Sequence, residues 1–159
     1  MKISVLVVGR SRGPLASAVR TFEERSARYW KLEVIEVRAG GGRGRGMDPA
    51  SVRSVEGERL VRRIPAGSEV WALTRGGGGL SSGAFARLLG SRATEGRSGV
   101  TFLVGGAFGL APALLSRADR HLAFSEMTLP HEFARLFLAE QLYRAGTILR
   151  GEPYHKSGA

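Results

Sequence analysis

A chain of 159 residues, 43% hydrophobic and 8% aromatic, is long enough for one domain with its own core and too short for two of ordinary size. It has no cysteine, which excludes disulfides and thiolate-held metals, and the histidines at 121, 131 and 155 lack zinc-site spacing, so no metal is expected. The net charge of +10 favours a phosphate-rich partner, with 15 basic against 8 acidic groups up to residue 75 and 9 against 6 after it.

In chain order, Ile3–Val8 reads as a strand buried on both faces. Gly9-Arg10-Ser11-Arg12 follows it where a signal peptide would have a small-residue cleavage site, and no apolar run approaches the roughly 20 residues that span a bilayer. A soluble cytoplasmic protein is therefore expected. Pro14 opens a helix to about Arg28, with Leu15, Ala18, Val19 and Phe22 on one face. Leu32–Val37 is the second strand, and Ala39–Gly46 a basic glycine loop. Asp48 caps a helix that has Pro49 just inside it and runs to Arg63. Glu69–Leu73 is the third strand, Arg75–Gly79 a second glycine loop, and Ser81–Leu89 a helix. Gly99–Val104 is the fourth strand, broken by Gly105–Gly109, then comes a short helix over Pro112–Arg117 and a fifth strand over Arg120–Phe124. The longest helix runs from Pro130 to about Leu149, with Phe133, Leu136, Phe137, Leu142, Ala145 and Ile148 as its apolar face.

Strands alternating with helices predict an α/β fold, a mainly parallel sheet flanked by helices, as one domain over residues 1–159. Ligands of such sheets bind beyond the carboxyl ends of the strands. Three loops lie there: after Leu73, at Gly105–Leu110 and at Phe124–Leu129. Gly105-Gly106-Ala107-Phe108-Gly109 either lets the backbone approach a ligand or simply makes a tight turn. It is neither Gly-x-Gly-x-x-Gly nor a phosphate-binding loop, and no acid stands in a dinucleotide-like position after strand two, so a nicotinamide cofactor is disfavoured. Arg10, Arg12, Arg43 and Arg45 together suggest a nucleic-acid surface, although any one of them alone reads as a solvated charge.

The last thirty residues mix His, Glu, Gln, Tyr and Arg into an apolar helical pattern, a mixture that a purely core-filling segment would avoid. His131 follows Pro130 at the helix start and serves as cap, packing residue or catalyst. Glu140 and Arg144 are spaced i,i+4, as a surface ion pair or as a buried pair at a subunit interface. Tyr154-His155-Lys156 is a frayed tail or, directed by Gly151-Glu152-Pro153, part of a site.

Whole-chain motifs carry a resemblance. Met1-Lys2-Ile3 through Gly9, Glu56-Gly57-Glu58, Ser81-Ser82-x-x-Phe85-Ala86, Val104-Gly105-Gly106-x-x-Gly109-Leu110, Met127–His131, Glu140–Ala145 and Pro153–Lys156 resemble the ribosomal RNA large-subunit methyltransferase H family. These are small SPOUT-class pseudouridine N3-methyltransferases of bacterial 23S rRNA. The resemblance implies a homodimer with a C-terminal trefoil knot, a topology nearly absent from proteins in general. It implies S-adenosyl-L-methionine held by Leu73, Gly105 and the run Phe124, Ser125, Glu126, Met127, Thr128 and Leu129. It places Arg144, Tyr154 and His155 near the methyl-accepting base of 23S rRNA in the assembled 70S ribosome, with His131 close by. In that setting Arg144 would stabilise charge on the base, His155 would take the proton and Tyr154 would stack. The chain departs from the family pattern at Thr74, where an acid is frequent, at Phe108, at Ala123 and in its glycine-rich loops. The rival readings are a methyltransferase of the same fold acting on tRNA or another RNA and a non-catalytic basic RNA-binding module.

Overall fold

The computed structural model describes residues 1–40, 46–96 and 98–156; Arg43 and Arg45 lie outside them. Strands β1 (Lys2–Val8), β2 (Lys31–Val37), β3 (Glu69–Gly79), β4 (Val100–Val104) and β5 (Arg120–Ala123) form one sheet in the order β2-β1-β4-β3-β5. Every strand pairing is parallel. Parallel neighbours need long crossovers, and helices supply them. These are α1 (Ala16–Ser26), α2 (Pro49–Val61), α3 (Ser82–Thr94), α4 (Pro112–Arg117) and α5 (His131–Leu149). The predicted α/β architecture is the observed one.

Period-two alternation divides the strands between two cores. Ile3, Val5, Val7, Trp71, Phe102 and Leu122 face one side, where Phe85 and Leu89 of α3 and Leu138 and Leu142 of α5 meet them. Leu6, Val8, Ala72 and Leu103 face the other side, toward Leu60 of α2 and Leu114 of α4. Local chemistry starts the helices as expected. Asp48 accepts the Ser51 N–H at 3.0 Å with Pro49 in the first turn of α2, and Ser81 accepts the Ala84 N–H at 3.2 Å.

Three expectations need correction. Helix α1 begins at Ala16; Pro14 belongs to a turn in which the Ala16 N–H donates to the Gly13 carbonyl. The predicted Arg75–Gly79 loop is the second half of β3, where Gly78 pairs with Leu122 and Gly79 with Ala123 after a register shift. Glycine permits this, because a Cβ on Gly77 would lie 2.7 Å from the backbone of His121 and Leu122.

The apolar face of α5 is the third correction, since Phe133 and Phe137 are exposed. Leu142 and Ala145 are buried as expected, and Arg135 and Leu138 share the buried side with them. Arg135 turns inward to Glu23 of α1 at 2.7 Å and Glu36 of β2 at 2.6 Å, and Phe133 and Phe137 fall outside that side. Burial opposes the Arg135 charge, yet its bonds to both carboxylates outweigh burial and hold its pKa above the ordinary arginine value. Ser26 and Trp30 donate to the carbonyls of Ala139 and Leu142, both at 2.8 Å, which fixes α5 against the end of α1.

Candidate functional site

The middle of β3, where its first register with β5 ends at Leu73, and the carboxyl ends of β4 and β5 open into a cavity of about 400 Å³. Adjacent parallel strands end on the same sheet edge, so the segments that leave them converge there. The lining comes from Leu73–Arg75, Val104–Leu110, the segment after β5, and His131 and Ala134 of α5. The Gly105–Gly109 segment folds back on itself. The Gly109 N–H donates to the Gly106 carbonyl at 3.0 Å, and Gly109 has φ +78. A Cβ on Gly105 would lie 2.7 Å from the Gly109 carbonyl carbon, so glycine is required for the turn itself.

Leu73, Gly105, Phe124, Ser125, Met127, Thr128 and Leu129 all line this cavity. Glu126, expected with them, is exposed and lies outside it. His131 lines it as well, its ring facing Gly9 at the end of β1. Met127, Leu129, Phe108, Phe133 and Phe137 leave an apolar exposed surface around it. Among the described residues, none forms a group of three or more metal-ligating side chains.

Two residues near the cavity had no assigned role in the sequence reading. Arg75 lines the cavity and donates to the Thr128 hydroxyl at 3.3 Å. Glu56 is 3% exposed on α2. Its carboxylate accepts the Gly40 N–H at 2.8 Å and abuts Gly106, where a Cβ would lie 2.9 Å from Oε2. The spacing of Val52, Glu56 and Leu60 was the available signal, since i,i+4 positions put Glu56 on the buried side of the helix. Of the suspected basic set, Arg10 lies 3.7 Å from Glu36, and the Arg12 backbone N–H donates to Glu132 at 2.8 Å.

A second constellation sits at the other end of α5. Glu140 is its hub: Oε1 accepts from Arg144 Nε at 3.0 Å, from Arg144 Nη2, and from the Tyr154 hydroxyl at 3.1 Å. Oε2 accepts from Gln141 at 2.7 Å, and Gln141 accepts in turn from Ser82 at 2.7 Å. The guanidinium of Arg144 lies over the Tyr154 ring at 4.8 Å, and its Nη1 faces His155 Nδ1 at 3.4 Å. The tail is thus folded back onto α5.

The bond to Glu140 holds the Arg144 pKa above the ordinary arginine value. Burial, then Glu140, pushes the Tyr154 phenol above its usual range. Arg144 therefore stays cationic and Tyr154 stays a neutral donor near neutral pH. Tyr29 of the α1–β2 connection anchors the turn before the tail. Its hydroxyl donates to Glu152, and this bond pushes its pKa up to about 12. The Tyr143 ring bridges Tyr29 at 5.8 Å and Tyr154 at 4.6 Å.

His131 does not join this cluster within one chain. Both residues lie on α5, and the thirteen positions from His131 to Arg144 span about 20 Å at the helical rise. The chain therefore presents a cavity at one end of the helix and a polar cluster at the other.

Comparison with known proteins agrees with the fold. Residues 1–155 match the family model described as "Predicted SPOUT methyltransferase". A Gemmatimonas aurantiaca protein named ribosomal RNA large subunit methyltransferase H is 51% identical over 157 residues, covering 98% of this chain and all of the relative. Proteins of the same name from Anaeromyxobacter sp. strain K and Syntrophotalea carbinolica are 45% and 43% identical, each over 98% of this chain and 100% and 99% of their own. This chain belongs to the SPOUT methyltransferase family, alongside relatives that bear the name ribosomal RNA large subunit methyltransferase H.

Proposed function

We propose that this protein is a cytoplasmic S-adenosyl-L-methionine-dependent methyltransferase that methylates N3 of a pseudouridine in 23S rRNA of the assembled 70S ribosome. It acts as a homodimer of one SPOUT unit per chain, with the C-terminal segment threaded as a trefoil knot. The observation that carries the reading is the cavity between the middle of β3 and the ends of β4 and β5, walled by backbone and apolar side chains. Relatives of nearly full-length similarity, whose names give ribosomal RNA as substrate, support the substrate class.

The lining suits the cofactor. Its volume lies in the range of small-molecule sites, Leu73, Leu110, Leu122 and Leu129 provide apolar walls for an adenosine, and among the described residues no carboxylate lines it. When bound, S-adenosyl-L-methionine supplies an electrophilic methyl on a sulfonium. The protein's own contribution is orientation and electrostatics.

The ring nitrogen of the base must lose a proton before it accepts the methyl, and negative charge then spreads over the flanking carbonyl oxygens. Arg144 stabilises that charge. Glu140 engages Nε and Nη2, which leaves Nη1, now facing His155 Nδ1, as the donor that can turn to the base. Tyr154 donates or stacks as a neutral phenol. His155 turns Nδ1 to Arg144, so accepting a proton there requires Arg144 to move onto the substrate first.

The separation of about 20 Å between His131 and Arg144 along α5 also bears on the dimer. A chain that carries its cavity and its cluster on different turns of one helix is suited to pairing its cavity with the cluster of a second copy. A second copy docked on the exposed apolar surface of Phe133, Phe137 and Leu129 would bring its cluster to the first copy's cavity.

The test is to incubate the protein with radiolabelled S-adenosyl-L-methionine and unmodified bacterial ribosomes, separated subunits or naked rRNA, and to map the label. One labelled pseudouridine of the large subunit, in assembled ribosomes only, is the expected result. Label on tRNA, or RNA binding without any transfer, would overturn it.

A further inference from the structure

We propose that Arg75 is the anion-binding residue of the cavity and takes the carboxylate at the amino-acid end of the cofactor. This rests on the cofactor reading above and adds how the ligand is oriented. Among the described residues, Arg75 is the one lining side chain with a permanent charge. Among the described residues no carboxylate lies within ion-pair distance of Arg75, whereas Arg144 has one such partner and Arg92 and Arg135 have two each. Its single polar contact of this kind is the long bond from Nη1 to the Thr128 hydroxyl, 3.3 Å, which ties it across the cavity to the segment after β5.

An unpaired guanidinium so placed is a recognition element for an anion. Among the described residues only one of its five N–H donors has a partner, and its planar fork matches a carboxylate. The preceding residue is Thr74, so no acidic neighbour competes for it at the position where the family pattern frequently has one. The cofactor carries a sulfonium, an ammonium and one carboxylate. A cation is repelled by the first two and attracted only by the third. Arg75 therefore selects the orientation in which the amino-acid carboxylate lies toward Thr128 and the second half of β3. Because Arg75 is exposed, water screens the interaction and the effect is modest.

The experiment is calorimetric binding of two probes to the full chain without RNA: S-adenosylhomocysteine, and methylthioadenosine, which has the same nucleoside but no amino-acid end. The unsubstituted protein should prefer S-adenosylhomocysteine. Arg75→Ala should weaken that probe by about tenfold and leave methylthioadenosine unchanged, and Arg75→Lys should restore part of the loss. Equal weakening of both probes would overturn the proposal and assign Arg75 to loop shaping. So would unchanged binding of both, or a loss confined to RNA affinity. If the unsubstituted protein binds neither probe, the cofactor reading itself fails, a result separate from failure of the Arg75 assignment alone.

Discussion

The two ends of α5 are built from opposite materials. At its start the cavity is walled by glycine backbone and apolar side chains, and its geometry is set by how closely strands pass one another. At its far end the cluster of Glu140, Arg144, Tyr154 and His155 is made of side chains, and its geometry is set by hydrogen bonds to one carboxylate. The first arrangement suits holding a ligand by shape. The second suits placing charge. The contrast teaches that the proposed binding and catalytic roles rest on different kinds of structure and should fail separately.

The sharpest break should come from Arg144→Ala. Methyl transfer to ribosomes should fall by about a hundredfold or more, as when a donor to developing charge is removed, with S-adenosylhomocysteine affinity unchanged by calorimetry. Equal losses of both would put the two ends in one site. Mixing comes next. Thr128→Trp should obstruct the cavity, and Arg144→Ala disables the cluster. If each site takes its parts from two copies, the two inactive variants refolded together should recover roughly a quarter of normal activity, because about half the dimers are mixed and each has one intact site. No recovery would return each site to a single chain.

Tyr29→Phe should have the smallest effect. It removes the donor to Glu152, so turnover should drop a few-fold while cofactor affinity holds, the stability cost being about 1 kcal/mol. The pH sign follows from a phenol raised from 10.0 to about 12. Its contribution is complete below the unfolded value and is lost as pH rises through the folded one. A spectrophotometric titration should show a tyrosine that ionises near pH 12 in the unsubstituted protein and is missing from the variant.

The sequence was most legible where one physical rule acted alone. The apolar runs of β1 and β4 and the caps at Asp48 and Ser81 appear in the structure as expected. It was least legible where tertiary contact overrode composition. Four successive glycines after Arg75 read as a loop, yet Gly78 and Gly79 pair with β5, and Gly77 passes so close to its backbone that a Cβ there would not fit. Phe133 and Phe137 read as core, yet Arg135 and its two carboxylates turn another side of α5 inward. Which residues surround the cavity could be listed from the resemblance. That His131 and Arg144 stand apart could not, because a motif gives membership in a site and helix length gives distance.

The position of β4 has a consequence for the birth of the protein. It lies at the centre of the sheet and is the strand that joins the β2-β1 pair to the β3-β5 pair. During synthesis β1, β2 and β3 emerge long before it. Until Val100–Val104 is available, β1 has an open apolar edge and β3 has no neighbour at all. Parallel pairing across such separations is slow and leaves strand edges open to aggregation. A nascent chain stalled short of residue 100 should therefore depend on chaperones, and the sheet closes only when most of the chain has left the ribosome that makes it.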